Sequence, residues 1–158
     1  MSEFSSEAPY IKQISIYFKA NSYQDALNLS KEFRDNFPDK MFPHFLVAKS
    51  AFWLNEFGVA KEEAQIAFNL SKGQDELAVT GILLAAAYYR LKEYESGMRL
   101  LNLLKTQLPE KQEIAKLKFI FALALQDEAA ALRHLETLYQ INEEAANGLV
   151  VKILEHYV

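Results

Sequence analysis

The side chains of this sequence that could do acid, base or metal chemistry are few and scattered. The three histidines are His44, His134 and His156, and no two stand at the i, i+4 spacing that puts two imidazoles on one helix face to share a metal ion. Cysteine is absent, which removes disulfides, thiolate ligands and thiol nucleophiles together. Neighbouring carboxylates occur at Glu62-Glu63, Asp127-Glu128 and Glu143-Glu144. Adjacent residues on a helix point about 100° apart, so these pairs are expected to be solvated helix faces, and the histidines surface or partly buried groups. No glycine-rich phosphate loop, Walker sequence, nucleophile elbow or kinase-like string is present. The sequence therefore points away from an enzyme, and no metal ligands or cofactor are expected.

The elements that must position any site are helical by composition. Hydrophobic residues make up 51% of the 158 and aromatics 13%, enough for a core, while five glycines and four prolines leave little for a turn-rich β protein. The net charge is -4 and the 17 lysines and arginines form no basic run. Nucleic acid, which needs a concentrated positive face, is disfavoured as a partner. Met1 to Glu7 is polar, without the apolar stretch of a signal peptide, and no apolar run reaches the roughly 20 residues of a membrane span. A cytoplasmic protein is expected, and the stretch from Ile82 to Tyr89 reads as a helix buried between neighbours.

Internal self-similarity organises the chain. Tyr88-Tyr89-Arg90-Leu91-Lys92-Glu93-Tyr94, followed by Gly97, lies over Ala51-Phe52-Trp53-Leu54-Asn55-Glu56-Phe57, followed by Ala60. The same frame recurs at Tyr17 to Tyr23 with Ala26, and at Ala122 to Asp127 with Ala131. The small residues Ala26, Ala60, Gly97 and Ala131 are thus 34, 37 and 34 residues apart, the period of a helix-turn-helix repeat. Two antiparallel helices approach closely only where a side chain is small, so Gly97 and Ala60 are expected at tight crossings, with Ala85 facing Gly97.

Here the chain resembles the tetratricopeptide repeat family. The third unit carries Leu84-Ala85, Tyr88, Tyr94, Gly97, Leu101 and Pro109 where the family places its recurrent residues, and the first carries Tyr17, Tyr23, Ala26, Phe33 and Pro38, with Ile14 at a position usually small. The second keeps Ala48, Phe57, Ala60, Ala64 and Ala67, has Lys72 in place of the proline and adds three residues near Gly73-Gln74-Asp75. The fourth departs most, with Phe119 at the small position and Glu128 at the second aromatic. The resemblance implies an all-α, right-handed superhelix in one domain: antiparallel helix pairs at about 7–40, 41–77, 78–111 and 112–143, and a capping helix at about 144–158.

Local signals fit that division. Pro38 and Pro109 would stop second helices, Pro43 suits the first turn of the next, and Ser5 or Ser6 can cap the first helix. Glu143 and Glu144 favour a helix start, after which Ala146, Leu149, Val150, Ile153, Leu154 and Tyr157 share an apolar side. That side would close the array or form a homodimer contact.

In the family the first helix of each pair lines a concave groove. Carried over, this places Phe18, Lys49, Phe52, Trp53, Ile82, Tyr89, Arg90 and Lys116 on the groove, a surface suited to an apolar or amphipathic peptide. Tryptophan, tyrosine and arginine are the types that most often dominate binding energy, although an aromatic stripe at helical spacing can equally be core. The lysines and asparagines with which some members clamp the acidic tails of heat-shock chaperones are missing: the matching positions hold Ile11, Ser15, Leu46, Val79 and Leu83. The expected function is a non-catalytic adaptor or assembly factor that binds a protein segment. The alternatives are a dedicated chaperone for one client and, third, an enzyme whose site is invisible in sequence.

Overall fold

The structure, a computed structural model, describes residues 6–108 and 111–157, with all their side chains except those of Ile153, Leu154, His156 and Tyr157. Ser5, Pro109 and Val158 lie outside the described residues. Among those described there are nine α-helices and no strand: α1 (Glu7–Lys19), α2 (Tyr23–Asn36), α3 (Met41–Trp53), α4 (Phe57–Leu70), α5 (Gly73–Arg90), α6 (Tyr94–Gln107), α7 (Gln112–Ala124), α8 (Glu128–Ile141) and α9 (Glu143–Tyr157). They fall into two compact units, Met1–Leu91 and Lys92–Val158. Within each unit, consecutive helices pack on one another, as in a helical-repeat solenoid.

One turn recurs four times. The residues joining α1 to α2, α3 to α4, α5 to α6 and α7 to α8 centre on Asn21, Asn55, Lys92 and Gln126, with φ of 56°, 63°, 62° and 61°. These are left-handed conformations at non-glycine residues, which cost roughly 1–2 kcal/mol each. Helix-terminal carbonyls that would otherwise lack a donor are satisfied in return. At the first turn the Ser22 amide donates to the Tyr17 carbonyl at 2.8 Å and the Asn21 amide to Phe18 at 3.1 Å. The pattern repeats as Glu56 to Ala51 at 2.8 Å and Asp127 to Ala122 at 2.9 Å. The left-handed residues are 34, 37 and 34 apart, the spacing of the small residues that follow them. The extra residues near Gly73 are helical and lengthen α5 to 18 residues, against 13 for α1, α3 and α7.

The small positions are buried as expected. In the first unit Ala26 packs with Tyr10, Ile14, Phe33 and Leu46, and Ala60 with Leu27, Val47, Ala51 and Ala87. The Tyr10 ring stacks on Phe33 with centroids 4.9 Å apart. In the second unit Ala131 joins Ala115, Phe119, Ala122, Ala130, Leu138, Ala146 and Leu149. Phe119, at a position where the repeat favours a small residue, is accommodated because alanines surround it. Gly97 is buried, and a β-carbon there would overlap the Phe121 ring of α7.

Helix ends follow the sequence signals with one exception. Pro38 follows α2, Pro43 sits in the first turn of α3, and Glu143 and Glu144 open α9. Ser6 stands at the start of α1, but its side chain makes no capping hydrogen bond, contrary to expectation. The side-chain caps belong instead to Asp127, which accepts from the Ala130 amide at 3.0 Å, and Asn142, which accepts from Ala145 at 3.0 Å. Ala146 and Leu149 of α9 are buried against their own unit, while Val151 is exposed. No helix among the described residues is long and apolar enough to cross a membrane.

Candidate binding groove

In the first unit α2 packs against both α1 and α3, leaving the opposite flanks of those two helices facing each other across an open groove of about 420 Å³. Its walls come from positions that helical spacing aligns: Ile11, Ile14, Ser15, Phe18 and Lys19 on α1, and Phe42, Phe45, Leu46 and Lys49 on α3. The Lys49 ammonium lies 4.8 Å from the centroid of the Phe18 ring, a cation–π contact that ties the two helices across the groove. Phe42 and Phe45 stack with centroids 6.0 Å apart.

An aromatic row continues from this point. Phe18 packs against Tyr23 at 5.9 Å, and Tyr23 stacks on Trp53 at 5.5 Å with the rings 10° from parallel. One face of the indole is therefore held by the protein, yet Trp53 remains 55% exposed, the most exposed aromatic side chain among the described residues. Phe52, next along α3, takes part in a different cluster. The Arg90 guanidinium sits 5.8 Å from the Phe52 centroid and 5.4 Å from that of Phe57, and the two rings meet edge to face at 5.3 Å.

The residues anticipated for binding are thus sorted by the fold. Phe18 and Lys49 share the groove, Trp53 joins them through Tyr23, and Phe52 pairs with Arg90. Ile82 and Tyr89 are half-buried on α5 and do not line the groove, and Lys116 is half-buried on α7 of the second unit. Tyr23 is the contributor that sequence did not single out for the surface. Its aromatic type marked it only as a repeat residue, and nothing local places it under Trp53.

Two expectations about polar residues are corrected. Glu63 is not a solvated carboxylate, and His44 is buried at 6% exposure. Arg34 Nη1 donates to Glu63 Oε1 at 2.6 Å, Glu63 Oε2 meets His44 Nδ1 at 2.7 Å, and His44 Nε2 donates to the Pro38 carbonyl at 2.8 Å. Desolvation works against the Arg34 charge, but the hydrogen bond and attraction of Glu63, then of Asp35, leave its pKa above the ordinary arginine value. Both ring nitrogens and both carboxylate oxygens have protein partners, so the network ties α2, α3 and α4 together. Among the described residues no group of three or more acidic or histidine side chains could hold a metal ion.

The second unit has an apolar hollow of about 400 Å³ lined by Phe119, Leu123, Ala131, Leu132, Leu135 and Val150, with Glu128 at its polar edge. Leu132 there is 62% exposed. Compared with known proteins, the chain matches no family model and no curated protein sequence.

Proposed function

We infer that the chain is a non-catalytic interaction module of the tetratricopeptide type, which holds a segment of a partner protein in the groove between α1 and α3. The observation that carries this reading is the groove itself. It has aromatic walls and two lysines, and its Phe18 ring leads through Tyr23 to an indole that is stacked on one face and half exposed. Large, rigid side chains of this kind supply contact area at low entropic cost and are the common anchors of protein recognition. The fourfold recurrence of the left-handed turn at a 34, 37 and 34 spacing supports the repeat assignment. Phe52 and Arg90 form a neighbouring patch of the same chemistry.

The test is recovery of the partner from the native cell, followed by titration of its binding segment against the wild type, Trp53→Ala and Ser15→Trp. Ser15 is exposed on the groove wall, so the added indole fills the groove without removing a core contact. Each variant is expected to weaken binding by about tenfold or more, with helicity unchanged. Undiminished affinity in both folded variants would move the site off this groove.

A further inference from the structure

We propose that this groove selects an acidic segment, one that presents a large apolar side chain flanked by Asp or Glu. The inference rests on the groove being the binding site and names what it binds. Among the described residues, Lys19 and Lys49 are the charged side chains on its walls and no carboxylate lines it. Among the described residues neither lysine forms an ion pair.

The contact of Lys49 with the Phe18 ring orients the ammonium without neutralising it, so its charge stays available at the edge of an aromatic wall. A neutral or basic segment entering the groove would strip water from two cations and return nothing. Carboxylates beside the apolar anchor would restore that loss and add long-range attraction. The two halves of the site thus demand two properties of one ligand: an apolar side chain for Phe18, Phe42 and Phe45, and negative charge for Lys19 and Lys49.

The experiment selects a displayed library of random short peptides on the full chain and, in parallel, on Lys19→Glu/Lys49→Glu. Enriched peptides are then titrated calorimetrically against the wild type, the double variant and Ser15→Trp. The expected result is enrichment of Asp and Glu beside Phe, Leu or Trp, and about tenfold or greater weakening by the charge reversal and by added salt, with helicity unchanged. Peptides that are blocked by Ser15→Trp but show no acidic bias, or bind the charge-reversed chain equally well, would overturn the acidic selectivity while leaving the groove as the site. Failure to enrich any peptide that Ser15→Trp blocks would overturn both.

Discussion

The ring of Phe121 on α7 occupies the space that a β-carbon on Gly97 of α6 would fill. Phe121 is itself fully buried and packs edge to face on Tyr94 at 6.3 Å, so the ring has little freedom to retreat. Alanine has a higher helix propensity than glycine by about 1 kcal/mol, but overpacking a buried contact costs about 1–3 kcal/mol. Gly97→Ala is therefore expected to lower stability, and Gly97→Leu to lower it further. In a Phe121→Leu background the alanine should become neutral or stabilising, a coupling that denaturant unfolding of the four chains measures. A Gly97→Ala chain more stable than the wild type would contradict the contact.

The four turns make a second prediction. Gln126 and Lys92 hold a left-handed backbone with side chains poorly suited to it, whereas asparagine at Asn21 and Asn55 visits that region more readily. Gln126→Gly should raise stability by up to about 1 kcal/mol, the relieved strain exceeding the added freedom of the unfolded chain. Asn21→Gly should gain less. Gln126→Val, β-branched in the same conformation, should be clearly destabilised in thermal melts.

Ser30 offers a stabilising substitution of a different kind. Its hydroxyl is buried on α2 and has no hydrogen-bond partner among the described residues. Leaving such a group unsatisfied costs about 1–3 kcal/mol, so Ser30→Ala should increase stability by about 1 kcal/mol and also favour the helix. A fall in the unfolding midpoint would show that the hydroxyl is satisfied.

Glu63 should be among the costliest polar positions to change. Glu63→Ala leaves the Arg34 guanidinium and the buried His44 facing each other without the carboxylate, and about 3 kcal/mol or more should be lost. Because the folded pKa of Arg34 is raised, its contribution is fully present below the ordinary arginine pKa and is lost only as pH rises through the still higher folded value. Alkaline titration within the physiological range should therefore not release Arg34 from this tie. Arg34→Ala and Glu63→Ala should be strongly non-additive in a double-mutant cycle.

The groove was partly legible before the structure. The repeat frame placed Phe18 and Lys49 on one shared surface. What spacing cannot supply is the contact of Lys49 with Phe18 or the stacking of Trp53 on Tyr23, each of which crosses between helices. The acidic pair Glu62-Glu63 shows the same boundary. Adjacency predicted divergence of the two carboxylates, correctly, yet gave no means of knowing that one of them points at Arg34 and His44, 29 and 19 residues away.

By itself the sequence determined the helical class, the order of the elements and the repeating turn, because these depend on residues within a few positions of one another. Apolar periodicity, small residues at regular spacing and prolines at helix ends act through local backbone geometry and hold wherever the chain is read. Only the tertiary structure decided that Gly97 meets Phe121, that Arg90 rests on Phe52 and Phe57, and that Lys19 and Lys49 border one aromatic groove. Those relationships are set by how one helix is rotated against the next. That rotation is settled by close packing of many side chains at once, which no single spacing in the sequence encodes.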